Sequence, residues 1–140
     1  MTKYCTNSSY GTVDNKTTLD LKDDAARANM GGDWRMPTAS EFQELYDNTT
    51  NEWVEDYNGS GVNGMKFTSK TNGKSIFFPA SGYASGTGVH DRGSDGSYWS
   101  SSLHPSISDL GFNLYFYSGY VDPQNYNTRY FGLCVRGVFK

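Results

Sequence analysis

Two histidines, His90 and His104, are the residues of this 140-residue chain best suited to moving protons. Each has a serine and an aspartate within a few positions, the raw material of a nucleophilic site. The surrounding pattern argues against that use, because neither histidine is accompanied by the glycine-flanked serine of a nucleophile elbow. Catalysis is therefore not expected. Asp91, Ser94 and Asp95 carry oxygens that suit calcium, the one cofactor the residue types allow, yet serine-and-aspartate turns commonly form without metal. No cofactor is expected. Cys5 and Cys134 are too far apart, and too few, to form a metal-binding signature. As unpaired thiols, one of them is expected to be buried. As a disulfide between neighbouring terminal strands they would close nearly the whole chain, a gain on the order of 4–5 kcal/mol in the chain-entropy picture.

What remains is the chemistry of contact, and it concentrates in the last third. At a spacing of two, Phe112, Leu114 and Phe116 point one way and Asn113, Tyr115 and Tyr117 the other, the pattern of a strand with one buried face. The outward face carries tyrosine and asparagine where a solvated strand would carry lysine and glutamate. The stretch that follows, read as a loop, repeats this vocabulary with Tyr120, Asp122, Asn125, Tyr126, Asn127 and Tyr130. Before the strand, His104, Ser106, Ser108 and Asp109 extend the same set. Tyrosine offers a large, stiff, amphipathic surface with few rotors to freeze, and amides and hydroxyls add adaptable hydrogen bonds. These thirteen residues are the candidate ligand-binding set. Outward tyrosines also serve as ordinary cross-strand pairs, so a purely structural module is the plain alternative.

The composition suits such a surface. Charged residues make up 19% and aromatics 16%, with 11 tyrosines and 16 glycines, which argues against disorder and for a loop-rich fold of short strands. A net charge of -3 gives no electrostatic footing for nucleic acid. No run is long and apolar enough to span a bilayer, and the opening MTKYCTNSSY lacks a signal-peptide core. The length fits one domain, residues 1–140.

Several elements must position the set. A weak strand is expected near Lys3–Thr6. A helix is expected over Asp20–Met30, from the spacing of Leu21, Ala25 and Ala28 and the stop at Gly31-Gly32. A second runs over Ala39–Asp47, where Thr38 and Glu41 form a capping box and Phe42 and Leu45 face inward. Asn48 to Gly64 reads as polar and turn-rich, with Trp53 and Val54 tucked back on the core. Met65–Lys70 and Ser75–Pro79 flank Asn72-Gly73, a hairpin signal, and consecutive Ile76, Phe77 and Phe78 suggest a strand covered on both faces. Gly82 to Ser97 reads as a long loop. Tyr98–Ser102 re-enters the sheet, and Phe131–Val138 is expected as a closing strand.

WRMPT leading into EFQELYDN, then NGKSIFFPASGY, YWSSS and RYFGLCVRGV, resembles the C-type-lectin-like domains of gut Bacteroidales and their phages. That group includes the Fibrobacter succinogenes major paralogous domains and the formylglycine-generating-enzyme-like domains. Several such relatives are variable proteins of diversity-generating retroelements, in which adenines of the gene's 3′ end are rewritten. The resemblance spans roughly residues 3–139. It implies an α+β C-type-lectin-like fold, two helices flanking twisted antiparallel strands, with neighbouring termini and much irregular loop. It also implies a variable ligand-binding face for a protein or cell-surface structure, on a domain at a cell surface, secreted, or on a phage particle. Such relatives often carry a segment before the position of Lys3, so this sequence is either a minimal version of the fold or starts partway into it. The paired C-terminal cysteines of formylglycine-generating enzymes are not matched, since Cys134 has no near partner. The EPN, QPD and WND motifs of calcium-dependent sugar binding are also missing.

The genetic code offers a separate comparison. An asparagine codon altered only at its adenines cannot become Lys, Glu, Gln, Met or Trp. Between Ser100 and Phe139, Gln124 is the single residue of that excluded group. Lys, Glu and Met are already missing from Ser75 to Phe139, which weakens the inference. Trp99, Leu114, Phe116, Val121, Arg129, Gly132, Val135 and Arg136 read as the fixed frame. The rival function is a static glycan-binding or adhesin accessory domain.

Overall fold

A capping residue shortens the first helix. In this computed structural model, which describes residues 1–139, Asp24 interrupts the helix expected over Asp20–Met30. Its backbone is extended, at φ -80° and ψ 120°. Its carboxylate accepts from Arg27 N at 3.0 Å and from Met36 N at 2.8 Å. A 3-10 turn over Leu21–Asp23 thus precedes α1, Ala25–Met30. After β1, Trp34–Arg35, the second helix α2 spans Ala39–Asn48 with its capping box complete. Glu41 accepts from Thr38 N at 2.8 Å and Thr38 Oγ1 accepts from Glu41 N at 3.2 Å.

Strands dominate the remaining regular structure. They are β2 (Thr49–Val54), β3 (Gly64–Ser69), β4 (Ser75–Pro79), β5 (Tyr83–Ser85), β6 (Gly88–His90), β7 (Asp95–Leu103), β8 (Leu110–Tyr117), β9 (Tyr120–Thr128) and β10 (Val138–Phe139). All pairings between these strands are antiparallel: β1 with β10, β2-β3-β4, β5 with β6, and β7-β8-β9. The architecture is α+β.

The expected hairpin is present, with β3 and β4 joined through Gly73 at φ +70°. Phe78 enters the core, whereas Phe77 stacks on Tyr57 at 3.9 Å on the other side and Ile76 remains 39% exposed. The polar reading of Asn48–Gly64 hid a strand. Thr49–Val54 pairs along its whole length with β3, and Trp53 packs against the core while the strand's polar residues face solvent.

Three further expectations are corrected. Lys3–Thr6 is not a strand, because Tyr4 takes φ 57° and the Tyr4 and Cys5 amides donate to the Asp14 carboxylate at 2.7 and 2.9 Å. The Gly82–Ser97 stretch is not one loop, since it holds the β5-β6 hairpin and the start of β7. Phe131–Val138 is not a strand. Its contacts are single bridges, Gly132 to Ala84 and Cys134 to Tyr98, before β10 begins at Val138.

The main core lies between α2, the β2-β3-β4 sheet and one face of β7-β8-β9. Phe42, Met65, Phe67, Phe78, Tyr98, Leu114 and Phe116 form it, with Leu45, Trp53, Val121 and Cys134 at its edge. Dense packing leaves no slack around Phe116: a Cβ at Gly96 would overlap its ring. Burial raises the Tyr98 phenol to about 12, and its hydroxyl donates to Pro79 O at 2.8 Å. Both cysteines are free thiols, Cys5 buried and Cys134 half-buried.

Candidate functional site

The strand register decides which candidate residues share a face. Antiparallel partners point to the same side, so the face of Tyr115 and Tyr117 on β8 also carries Ser97 and Asp95 from β7 and Asp122 and Tyr120 from β9. Asp122–Thr128, expected as a loop, is the body of β9. Tyr117-Ser118-Gly119-Tyr120 makes the tight turn into it, with Gly119 at φ +86°. The pairing steps out of register between Asn113 and Tyr115, where β9 inserts one extra residue around Pro123 and Gln124. Proline cannot donate to a ladder and is tolerated at such a bulge. Gln124 uses the irregularity to reach α2, donating to Ala39 O at 2.6 Å.

Tyr115, Tyr117 and Tyr120 form one cluster. The Tyr117 and Tyr120 rings stack at 5.2 Å, and Tyr115 lies 5.9 and 6.4 Å from them. Tyr117 and Tyr120 are 42% and 45% exposed, while Tyr115 is half-buried. The Tyr115 hydroxyl donates to Asp95 Oδ2 at 2.5 Å. Burial, followed by that hydrogen bond to a carboxylate, pushes the Tyr115 phenol well above its ordinary range, so it stays a neutral donor.

Beside the cluster a polar cleft of about 330 Å³ opens between the β5-β6 hairpin and the sheet. Tyr83, Asp91, Asp95, Ser97, Tyr115, Asn125, Asn127 and Phe131 line it. Tyr83 packs between His90 at 5.2 Å and Phe131 at 5.4 Å, so the histidine serves as a ring support. Asp91 sits at φ 54° in the turn before β7, where its carbonyl accepts from Ser94 N and Asp95 N at 3.2 and 3.0 Å. On the far side of Asp95 a second cleft of about 320 Å³ includes Trp53, Glu55, Asn63 and Tyr117.

The other candidates are distributed differently. Asn113 was expected to face solvent and is 0% exposed, a correction. Trp99 of β7 pairs beside it, and Asn125 closes the other side, donating Nδ2 to Asn113 Oδ1 at 3.0 Å. Among the described residues Asn113 Nδ2 has no partner. Ser108 is also buried, and its Oγ accepts from Thr6 N at 2.9 Å, fastening the N-terminal lead. Asp109 is half-buried, and its carbonyl accepts from Arg129 N at 2.8 Å.

His104 and Tyr126 lie on the face opposite Tyr115, around Phe112. His104 stacks on Phe112 at 5.7 Å, and Tyr126 meets His104 edge-on at 5.4 Å. The His104 Nδ1 accepts from Ser106 N and Ile107 N at 3.2 and 3.1 Å, so it shapes a turn. Phe112, expected in the core, is half-buried there, and Tyr126 is 53% exposed. Tyr130, 76% exposed, sits edge-on to Phe131 at the cleft's outer rim. Eight of the thirteen thus fall into two groups, Tyr115, Tyr117, Tyr120, Asp122, Asn125 and Asn127 on one face and His104 and Tyr126 on the other, while Ser106, Ser108, Asp109, Asn113 and Tyr130 join neither.

Sequence reasoning missed Tyr83, Ser97 and Phe131, and weighed Asp91 and Asp95 only as oxygens for calcium. The period-two run Asp95, Ser97, Trp99 carried the signal, but the surrounding glycines and serines hid it. Among the described residues no group of three or more His, Cys, Asp or Glu side chains is placed to hold a metal ion. No helix there is long and apolar enough to cross a membrane.

Residues 49–138 match the family described as a domain of unknown function, DUF8237. The match begins at β2 and ends in β10, so it contains both clefts and the tyrosine cluster. No curated protein and no solved structure matches the chain.

Proposed function

We propose a function for this chain, which belongs to the DUF8237 family: a non-catalytic recognition domain whose β7-β8-β9 face takes a protein or cell-surface ligand. The observation that carries the reading is the side-by-side placement of Tyr115, Tyr117 and Tyr120, half-exposed on a three-stranded sheet beside an open cleft. Exposed aromatics gathered on one face mark interaction sites, and a rigid sheet keeps the ordering cost of binding low. In this reading the helices and the first sheet are a C-type-lectin-like frame, and Tyr117, Tyr120, Asp122, Asn125 and Asn127 are positions that a retroelement diversifies. The domain then works at a cell surface, in secreted form, or on a phage particle.

Two measurements test this. Sequencing the locus should reveal a downstream near-repeat that differs from the gene only at adenines, beside a reverse transcriptase gene. A locus with neither retires diversification. The double change Tyr117→Ala and Tyr120→Ala should abolish partner binding while leaving the unfolding midpoint nearly unchanged. Unaltered binding would leave the tyrosines as ordinary cross-strand packing.

A static glycan-binding domain is the second reading, favoured by one feature. The first cleft combines carboxylates, amides and flanking rings, a set able to satisfy sugar hydroxyls and stack on a sugar ring. Glycan-array binding that survives loss of Tyr117 and Tyr120 would select it.

A further inference from the structure

We infer that the outer edge of β2 pairs with the same edge of a second copy of this chain, joining two β2-β3-β4 sheets across a two-fold axis. The inference is independent of the recognition reading, and a pair of chains doubles whatever the tyrosine face binds. Hydrogen bonds fix which groups of β2 look outward. Ser69 N donates to Lys74 O and Ala80 N to Asn63 O, both at 2.8 Å, so odd-numbered residues from Asn63 to Ser69 turn their backbone groups toward β4. Lys70 N donates to Asn48 O at 3.0 Å, so the even-numbered ones turn theirs toward β2. Backbone direction alternates along a strand. Thr50, Glu52 and Val54 therefore bond to β3, while Thr49, Asn51 and Trp53 face away from it. Among the described residues the backbone N–H and C=O groups of Asn51 and Trp53 have no partner.

Among the described residues every other long sheet edge is covered or blunted. Along β7, Gly82 N donates to Asp95 O at 2.7 Å, while Trp99 N donates to Cys134 O and Leu19 N to Ser101 O at 2.9 Å. On β4, Pro79 has no N–H, Arg136 Nη1 donates to Phe77 O at 3.0 Å, and the Tyr98 hydroxyl donates to Pro79 O at 2.8 Å. β9 carries Pro123 at its bulge. Native sheets protect their edges with such devices. β2 has neither proline nor bulge, and it pairs with β3 in unbroken register over 6 residues. Thr50, Asn51 and Glu52 are all exposed, so the middle of the strand is open on both faces as well as along its edge.

Self-complementarity names the occupant. An antiparallel two-fold pairing centred on Asn51 sets that residue against Asn51 of the second copy, Thr49 against Trp53 and Thr50 against Glu52. No like charges meet, because Glu52 lies opposite a threonine and is already paired with Lys66 at 2.6 Å. The two asparagine amides face one another, each able to donate and accept. Asn51 exchanges both backbone bonds with its copy, and each Trp53 N–H reaches the opposite Thr49 C=O, about four new bonds in all. So small and polar a contact gives a weak pair, with a dissociation constant on the order of 0.1 mM.

Sedimentation velocity of the intact chain from about 0.01 to about 1 mM should show a monomer passing into a dimer. Over the same range the Asn51 and Trp53 amides should slow several-fold in hydrogen exchange, while the Thr50 and Glu52 amides, already bonded to β3, change little. Asn51→Lys and Asn51→Asp each set like charges face to face and should weaken the dimer at least ~10-fold. Mixing the two folded variants at low salt should restore it as a heterodimer. A chain that stays monomeric at about 1 mM overturns the inference. So does a dimer in which Asn51 and Trp53 exchange ignores concentration, one that both variants leave intact, or a failure of the oppositely charged variants to recombine. The exchange measurement uses the unmodified chain, so a misfolded variant does not rescue the idea.

Discussion

Glu41→Gln isolates one charge at the start of the helix that packs against the β7-β8-β9 sheet. Glu41 holds the Arg35 guanidinium with two contacts, 2.7 and 2.6 Å, and accepts from Thr38 N at 2.8 Å. The hydrogen bond from Arg35 is the main cause that pulls its carboxyl from 4.5 down to about 2. Fully realised, that gap corresponds to ~3 kcal/mol. Glu41 is 35% exposed and Arg35 20%, and solvent screening brings the expected loss to ~1–1.5 kcal/mol. Glutamine keeps an oxygen for the Thr38 amide, so the cap survives and only the charge is removed. In a domain of this size the change should lower the melting temperature by ~3–5 °C at neutral pH. The sign of the pH dependence follows from the depressed value. The stabilisation is present above about 4.5, the unfolded value, and is lost as pH falls toward about 2. Urea unfolding of both proteins at pH about 7, 4 and 2.5 measures it, with the gap expected to shrink steadily. A gap that stays constant down to the lowest pH refutes the ion-pair argument and leaves shape alone as the cause.

Gly96→Ala should cost ~1–3 kcal/mol, because the new methyl group overlaps the buried Phe116 ring; wild-type stability in urea would show that β7 has room to shift. Tyr117→Ala with Tyr120→Ala should change stability by under ~1 kcal/mol while weakening partner binding by at least ~10-fold, read by calorimetry of unfolding and of binding. Cys5 should resist alkylation in the native protein and react on unfolding, whereas half-buried Cys134 should react first; equal native rates would contradict their burial. Arg129→Ala should loosen the N-terminal lead, since its guanidinium donates to Tyr4 O and Ser108 O at 3.0 and 2.8 Å. Faster amide exchange confined to residues near Tyr4 and Thr6 is the expected signature, and unchanged protection there would argue against the clasp.

Local chemistry was readable wherever it acts over a few residues. Thr38 and Glu41 announce the cap of α2, and Asn72-Gly73 announces the β3-β4 turn. The alternation of Leu114 and Phe116 with Tyr115 and Tyr117 states the faces of β8. Strands without apolar alternation stayed hidden. Thr49–Val54 is polar in sequence because its outer side is wet, and Asp122–Thr128 resembled a loop because its bulge at Pro123 breaks the period of two. Asp24 looked like a helical residue until its carboxylate was seen to bind Met36 N, twelve positions away.

The amino-acid order alone determined that one side of β8 is apolar and the other rich in tyrosine, since side-chain direction along a strand is a local property. It also determined the helix cap and the scarcity of charge near the carboxyl end. Which tyrosines stand together was decided only by long-range pairing. The Tyr117–Tyr120 turn folds β9 back beside β8, and the bulge places Asp122 opposite Tyr115 while Tyr126 falls on the far face with Phe112. The cleft is tertiary altogether. Asp91, Asp95, Tyr83 and Phe131 meet Tyr115 only because the β5-β6 hairpin and the segment at Gly132 bridge to each other along the edge of β7. Burial of Asn113 has the same origin, for no local rule covers an outward-facing strand position; neighbours from β7 and β9 do.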